Sequence, residues 1–228
     1  GKEATCYYLK TLSNNIDKAA DILADMFMSS KFDEDEMEKE KRVIYEEIKM
    51  IEDSPEDDAH DIISELIFKG DPLAKPIIGT PKSLQGITRE SIRKYIEKEY
   101  TRDIIVVSVS GSFDQDHVCS LFDDIFSNLN ANKPAKSHAQ IKYKPNYRVK
   151  VKDIEQSHIC LGLQGVPLDD ERYYSLALLN NIMGGSMSSR LFQNIREEKG
   201  LAYTVYSMAS SFTNTGYYNI YAGISHDK

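Results

Sequence analysis

Hydrophobic residues recur every three or four positions in several stretches of the chain, the spacing of one face of an α-helix. A residue that favours the start of a helix stands before each of the first four stretches. The predicted helices run from Ser13 or Asn14 through Phe27, from Asp33 to about Asp53, from Ser54-Pro55 to near Gly70, from Thr88 through Ile96, over 118–125, over about 170–183 and over 187–198. A Gly184-Gly185 pair separates the last two.

Other stretches alternate polar and apolar residues or are rich in β-branched and aromatic residues, which is typical of strands. The predicted strands cover 3–11, 104–110, 147–154 and 157–164, followed by two more up to the end of the chain. Residues 128–146 lose this periodicity and contain Asn, Lys and Pro, which indicates an interdomain linker. The pattern therefore predicts an α+β protein with strand-rich and helix-rich parts on both sides of a linker.

The two ends of the chain resemble each other. CYYLKTLSNNIDK at 6–18 and GYYNIYAGISHDK at 216–228 share two tyrosines, an aspartate and a lysine at a constant offset. Because the elements also follow the same order on both sides of the linker, a duplicated domain is predicted. The expected division is 1–130 for the later part of repeat one, 131–146 for the linker and 147–228 for the early part of repeat two. The chain would then lack segments at both ends.

Composition excludes several classes of protein. The 228 residues are 41% hydrophobic and 28% charged, so a packed core is expected and disorder is not. No apolar run is long enough to span a membrane, and a net charge of −8 argues against nucleic acid as a partner. The three cysteines are far apart and predict no disulfide framework. We expect a soluble, cytoplasmic protein.

Two carboxylates on the 33–53 helix have an unusual position. At about 100° per residue, the apolar stripe of this helix consists of Met37, Ile44, Ile48 and Ile51, and Val43 and Met50 widen it. Glu40 and Glu47 are two turns apart and fall inside this apolar arc. Carboxylates are rarely buried unless they are paired or bind a metal. From the helix alone, ion pairing and a position at the edge of the stripe remain as alternatives to a metal or catalytic role.

The histidines and glycines give little further evidence of a site. The five histidines form no H-x-x-E-H or H-E-x-x-H pattern, so His60 is expected to be a structural hydrogen-bonding residue, and His158 and Tyr147 packing residues. The two glycines before 187–198 lack the Gly-Lys-Ser/Thr of a phosphate-binding loop, and Gly200 is expected to cap that helix. Arg196 and Tyr203 flank this turn and could face one ligand.

Three separated blocks make the sequence recognisable: EKEKRVIYEEIKMIEDSPEDDAHD at 38–61, DPLAKPIIGTPKSL at 71–84 and SSRLFQNIREEKGLAYTVYS at 188–207. Together they resemble the pitrilysin/insulysin family of zinc metallopeptidases, in its bacterial branch similar to mitochondrial processing peptidase. The resemblance extends over essentially the whole chain. It implies duplicated metallopeptidase domains, each with an antiparallel-rich sheet packed with helices, in agreement with the internal repeat.

The resemblance implies zinc as cofactor. In the family an H-x-x-E-H motif supplies two histidine ligands and the general base, and a glutamate about 75 residues later completes the site. Glu47 matches that third ligand, and Glu40 matches the carboxylate that orients a ligand histidine. The motif itself is absent from the sequence. It would lie roughly 30 positions before Gly1, so we expect this chain alone to bind zinc weakly and to have no peptidase activity.

The resemblance also assigns a role to Arg196 and Tyr203, which match a family pair that holds substrate near the scissile bond. Fixed donors there stabilise a developing oxyanion. One departure is Asp71, where the family often has histidine in a loop without a catalytic role.

The sequence therefore predicts part of a zinc endopeptidase that hydrolyses peptides or unfolded segments and is inactive as this fragment. The alternative is a non-catalytic subunit of the same fold, which binds peptides or supports an active partner. Expected partners are peptide substrates and a second copy of the chain, with neither nucleic acid nor a membrane. The acidic balance gives a weak preference for basic peptides.

Overall fold

The computed structural model describes residues 1–131 and 141–227, and the alternation of helices and strands is close to the predicted order. The α-helices are α1 (Ile16–Met28), α2 (Glu34–Asp53), α3 (Pro55–Ile67), α4 (Pro81–Gln85), α5 (Arg89–Glu99), α6 (Gln115–Phe126) and α7 (Tyr173–Gly184). A π-helical segment spans Phe192–Glu198. The strands are β1 (Gln156–Gln164), β2 (Ala202–Ser211) and β3 (Gly216–Ser225). The fold is α+β, as predicted.

Local capping explains where several helices begin. The Ser54 hydroxyl accepts a hydrogen bond from the Asp57 amide, directly before Pro55 in the first turn of α3. Thr88 and Ser91 form a reciprocal capping box at α5, with distances of 3.1 and 2.9 Å. These two starts are confirmed.

The predicted cap of the first helix is wrong. Ser13–Asn15 form a short 3-10 turn, and α1 begins after it without a side-chain cap at Asn15. At α2, by contrast, an Asp33 carboxylate oxygen accepts from the amides of Asp35 and Glu36, as the predicted start requires.

The three strands form an antiparallel sheet in the order β1-β3-β2, covered by α3 on one face and by α7 on the other. Two glycines allow the close approach of the helices. A Cβ at Gly162 on β1 would lie 2.4 Å from the Cδ1 atom of Ile67, and one at Gly184 on α7 would lie 2.2 Å from the backbone nitrogen of Ser207 on β2. The sheet is therefore the centre of a three-layer arrangement.

The chain separates into two compact units that interleave along the sequence. One, the sheet unit, contains Gly1–Glu3, Ile44–Pro81 and the described residues 141–227. The other, the helical unit, contains Ala4–Val43 and residues 82–131 of the described chain. This division follows packing and does not test the proposed repeat boundaries at 130 and 147, which stay a prediction.

The core of the sheet unit lies where α3 ends. Phe68 and Tyr217 are buried, with ring centroids 5.6 Å apart in an edge-to-face arrangement, and Phe68 contacts Phe212 in the same way. Leu73 completes this cluster. Asp71 caps the turn that follows, because its carboxylate accepts from the Leu73 amide at 2.9 Å.

The helical unit has its own aromatic cluster around Phe27 of α1. The Phe27 ring stacks on Tyr100 at 5.1 Å and makes edge contacts with Tyr7 and Phe126. This packing joins α1 to α6, to the segment before α1 and to the end of α5. An Asp17–His117 pair at 2.6 Å adds a surface contact between the same two helices.

Three predicted strands do not form in the described structure. Residues 3–11 and 104–110 belong to no sheet, and 147–154 precedes β1 without a ladder partner. Alternation of side chains is a local property, whereas a strand needs a second strand to accept its backbone hydrogen bonds. Val106 (90% exposed) and Tyr8 (84% exposed) show that the apolar faces of the first two segments are uncovered.

The 147–152 segment is held by charge instead. Arg148 forms a bidentate pair with Glu65 at 2.6 and 2.9 Å, and Lys150 contacts both carboxylate oxygens of Asp58. Lys152 donates to the backbone oxygen of Glu52. The alternate residues face solvent, with Tyr147 85% exposed, so the prediction that Tyr147 is a packing residue is wrong.

The predicted linker lies mainly outside the described residues, including Lys133 and Lys136. Lys142 and Lys144 belong to the described residues on its C-terminal side. Tyr143, between them, donates a hydrogen bond to the Gly216 carbonyl oxygen at 2.5 Å. No helix within the described ranges is long and apolar enough to cross a membrane.

Candidate functional site

Arg196 lies in a rare backbone conformation. It belongs to the π-helical segment Phe192–Glu198, and such segments are frequent at functional sites. Gly200 ends the segment with a φ of 55°, a left-handed conformation that glycine adopts without steric cost. The amides of Gly200 and Leu201 donate to the carbonyl oxygens of Arg196 and Ile195 at 3.1 and 2.9 Å. The predicted glycine cap is confirmed.

Tyr203 lies at an irregularity of the sheet. Ala202 pairs with Ile224 of β3 and Thr204 pairs with Gly223, so Tyr203 is an extra residue in β2 and forms a β-bulge. Bulges change the direction of a side chain and are frequent next to active sites. The Tyr203 side chain is 71% exposed.

The structure brings Arg196 and Tyr203 together. The guanidinium carbon of Arg196 is 5.5 Å from the centroid of the Tyr203 ring, within cation–π distance. Sequence analysis missed a third member, Phe192, whose ring centroid is 4.7 Å from the same carbon. Its position four residues before Arg196 on a helix was the available signal. Two aromatic rings therefore hold one partly buried guanidinium.

Glu40 and Glu47 lie on α2, and both are exposed. At about 100° per residue their side chains leave the helix about 20° apart. The buried stripe is centred on Ile48, with Met37, Ile44 and Ile51 partly buried. The expectation that the two carboxylates lie inside the buried arc is wrong, because that arc is narrower than predicted.

The apolar residues beside these carboxylates are uncovered. Val43 is 51% exposed and Met50 is 68% exposed, and both project from the same side of α2 as Glu40 and Glu47. A helix face that combines apolar residues with carboxylates, and has no covering element in the described structure, is suited to contact with another segment.

The described residues do not complete a zinc site. Within 1–131 and 141–227, no three His, Cys, Asp or Glu side chains lie together as metal ligands. Zinc in proteins takes three or four protein ligands from histidine, cysteine and carboxylate groups. Glu47 offers one carboxylate, so a zinc ion bound through it requires ligands from elsewhere.

A partly buried polar network connects α3 to the sheet. The Tyr206 hydroxyl donates to Glu56 at 2.6 Å and therefore accepts from Nε2–H of His60 at 2.7 Å. His60 Nδ1 then accepts from the side-chain amide nitrogen, Nδ2, of Asn219 at 2.9 Å. His60 is thus a neutral, structural hydrogen-bonding residue, as predicted. Burial lowers its pKa, although Glu56, Asp57 and Asp61 act in the opposite direction.

Two side chains in this region are unsuited to catalysis at neutral pH: the Tyr206 phenol as a base and the Cys160 thiol as a nucleophile. Burial and the hydrogen bond to Glu56 raise the pKa of Tyr206 above its usual range, so this phenol stays protonated. Burial raises the pKa of the Cys160 thiol to about 11, which leaves almost no reactive thiolate at neutral pH. His158 donates to or accepts from the buried Tyr221 hydroxyl at 2.7 Å and is partly buried, in agreement with a packing role.

Two family models match the sequence in succession. Residues 1–81 match the model described as "Insulinase (Peptidase family M16)", and residues 86–228 match the model described as "Peptidase M16 inactive domain". The second match alone covers more than half of the chain.

Curated relatives carry a consistent name. The chain is 44% identical over 222 residues to an "Uncharacterized zinc protease YmxG" of Bacillus subtilis, covering 97% of this chain and 54% of the relative. It is 41% identical over 229 residues to an "Uncharacterized zinc protease" of Rickettsia felis, covering 100% and 55%. The chain thus spans about half the length of the curated relatives that it matches.

Solved structures share the fold. A protease from Helicobacter pylori has a TM-score of 0.85 at 22% identity, covering 94% of this chain and 53% of that chain. The peptidase M16 inactive domain from Pseudomonas fluorescens has a TM-score of 0.80 at 21% identity, covering 93% and 52%. The fold, the two family models and the relatives agree, and the chain belongs to peptidase family M16.

Proposed function

We propose that the longer protein to which this chain corresponds is a zinc-dependent endopeptidase. Its substrates would be peptides or unfolded protein segments, and this chain would supply part of the active site. The observation that carries the proposal is the convergence of two backbone irregularities, a π-helical segment and a β-bulge, on the Arg196–Tyr203 pair.

Glu47 is proposed as one metal ligand. It is exposed on α2 beside Val43 and Met50, so it is available to a covering segment that carries the other ligands. Glu40, two turns earlier on the same face, would accept the N–H of a ligand histidine and so fix its orientation. Glu47 and the ligands of the covering segment would hold the zinc ion, which would supply Lewis-acid polarisation of the scissile carbonyl and activation of water.

Arg196 and Tyr203 are proposed to position substrate. The partly exposed guanidinium of Arg196 and the phenol O–H of Tyr203 are donors for a peptide carbonyl, and these hydrogen bonds become stronger as the carbonyl oxygen becomes negative. Stacking against Phe192 restricts the Arg196 side chain before substrate binds. Donors that are already in place do not have to reorganise during the reaction.

Peptide substrates and self-association are the proposed partners. The sheet unit offers an apolar surface on β1, where Ile159, Leu161 and Leu163 are each about half exposed. The net charge of −8 favours basic over acidic peptides, as electrostatic attraction predicts. We also propose a cytoplasmic location.

The alternative is a non-catalytic subunit of the same fold. Residues 86–228 match a model described as an inactive domain, and the described residues offer one of the three ligands that a catalytic zinc ion needs. Such a subunit would use Arg196 and Tyr203 to bind peptides without cleaving them.

The test uses the full-length protein and measures bound zinc together with cleavage of fluorogenic peptides. We expect stoichiometric zinc and turnover in the native protein, and Glu47→Gln should weaken zinc binding by more than about 100-fold, above the cost of losing an orienting carboxylate. The 228-residue chain alone should show no turnover.

The matched control is Glu46→Gln, because Glu46 is exposed on the same helix and pairs only with Lys49 in the described structure. Its zinc content and turnover should stay native. Turnover that survives both chelation and Glu47→Gln would overturn the proposal. Saturable peptide binding without zinc or turnover would instead establish the non-catalytic alternative.

A further inference from the structure

A pocket in the helical unit is not used by the proposed active site. It lies between residues 27–33, where α1 ends and α2 begins, and residues 89–97 of α5. Its volume is about 590 Å³. Sites for small molecules commonly measure about 300–1,000 Å³, so its size is sufficient for a small ligand.

Three cations line this pocket: Lys31, Arg89 and Arg93. Arg89 and Arg93 are one turn apart on α5, an arrangement in which like charges repel. In the described structure no ion pair reaches any of the three, although such pairs occur elsewhere on the same helix, as between Lys94 and Glu90. An anion between them would remove this repulsion.

Arg89 provides independent support. Its Nε atom is buried and has no hydrogen-bond acceptor among the described residues. Buried N–H groups without a partner are rare, and each one suggests an absent water, ion or ligand. The unpartnered donor lies on a residue of the pocket wall.

The two acidic residues of the pocket, Asp33 and Glu97, offset only part of the charge of the three cations. Asp33 uses its carboxylate to accept from the amides at the start of α2. Glu97 follows Arg93 by one turn and forms no ion pair with it in the described structure. Three cations and two carboxylates leave the wall with a net charge of +1, in a chain whose net charge is −8.

Aromatic residues form another part of the wall. Phe27 lines the pocket and also stacks on Tyr100, which restricts its ring. Phe32 has a φ of 49°, which is uncommon for a bulky residue and is often found at functional sites. A preformed aromatic surface next to cations is suited to a ligand with a flat apolar body and an anionic group.

We infer that this pocket binds a small aromatic oxyanion. The phosphate or carboxylate group contacts Lys31, Arg89 and Arg93, and the ring packs against Phe27 and Phe32. Phosphate and carboxylate offer the same recognition chemistry to a guanidinium, namely two oxygens for its paired N–H donors. The inference does not depend on peptidase activity.

The test titrates the ¹⁵N-labelled chain with phenyl phosphate, phenylacetate, inorganic phosphate and phenol, and follows the amide resonances. Saturable shifts at residues 29–33 and 89–97 are expected with the two aromatic oxyanions. Their relative affinities decide between phosphate and carboxylate. Phenol lacks the charge and inorganic phosphate lacks the ring, so each should bind about tenfold more weakly or not at all.

Arg93→Gln should weaken binding of the preferred probe about tenfold, the usual effect of losing a charged hydrogen bond. The control Arg102→Gln removes an exposed arginine of the same unit outside the pocket and should leave the affinity unchanged. Phe32→Asn removes the aromatic ring but keeps a residue that tolerates positive φ. It should reduce the affinity to that of inorganic phosphate. Equal effects of Arg93→Gln and Arg102→Gln, or no saturable shift with either aromatic oxyanion, would overturn the inference.

Discussion

The two parts of the candidate site differ in what holds them. Arg196 and Tyr203 are fixed by elements of this chain: a π-helical segment, a glycine cap and a bulge in a three-stranded sheet. Glu40 and Glu47 project from a regular helix whose adjoining apolar residues are exposed. The chain thus fixes the Arg196–Tyr203 part of the candidate site by its own packing, whereas the α2 part is uncovered in the described structure.

The largest expected effect comes from a substitution in the Arg196–Tyr203 part of the candidate site. In the full-length protein, Tyr203→Phe removes an O–H donor and should lower kcat by about 10²–10³-fold, the range for loss of one oxyanion donor. Steady-state kinetics with one peptide substrate measure this. The melting temperature should not change, because the side chain is 71% exposed. A change in KM alone would argue for uniform binding instead.

The next effect tests the α2 part. Glu40→Gln in the full-length protein should weaken zinc binding by about 10–100-fold, as expected for a carboxylate that orients a ligand. Competition with a chelator gives this affinity. Glu38→Gln is the matched control, since Glu38 is exposed on α2 and pairs with Lys41. Equal zinc affinity in both variants would assign no role to Glu40.

A smaller effect separates support of the fold from the site itself. Tyr206→Phe removes the hydroxyl that joins Glu56 to His60, and it leaves both groups without that partner. We expect the free energy of unfolding to fall by about 1 kcal/mol, the usual net contribution of such a hydrogen bond, because both groups are only partly buried. Urea denaturation of the 228-residue chain measures it.

Tyr203→Phe is the control for this measurement and should change stability by less than about 0.5 kcal/mol, as is usual at exposed positions. The two tyrosines are three residues apart on β2. Opposite outcomes, with Tyr203→Phe the more destabilising, would reverse the roles that we assign to them.

The smallest effect is a pH dependence. Because burial lowers the pKa of His60, the unfolded chain takes up this proton at a higher pH than the folded chain. The contribution is fully present above the unfolded pKa of about 6.5 and is lost as pH falls from there toward the folded value. Replacement by His60→Gln should flatten the stability profile in this window, and an unchanged slope would contradict the argument.

Local sequence signals predicted most of the helices. Ser54, Thr88 and Gly200 act on backbone groups within a few residues, so their caps could be identified without the fold. Strands at 3–11, 104–110 and 147–154 were predicted wrongly because their formation depends on distant partners.

The candidate site shows the same limit. Residue spacing and family resemblance brought Arg196 and Tyr203 forward, but neither could predict a π-helical segment or a bulge, which depend on packing against the rest of the sheet unit. The width of the buried stripe on α2 was also overestimated, because periodicity does not tell which apolar residues find a neighbour.

The bulge has a consequence for how this protein can change over evolution. Tyr203 is an additional residue in β2, and the ladder on both sides of it continues along consecutive residues of β3. Tyr203 itself has no paired residue on β3, so a substitution of its side chain removes no cross-strand side-chain pair. Under the role that we propose for Tyr203, substrate preference can therefore change at this position while the sheet remains intact.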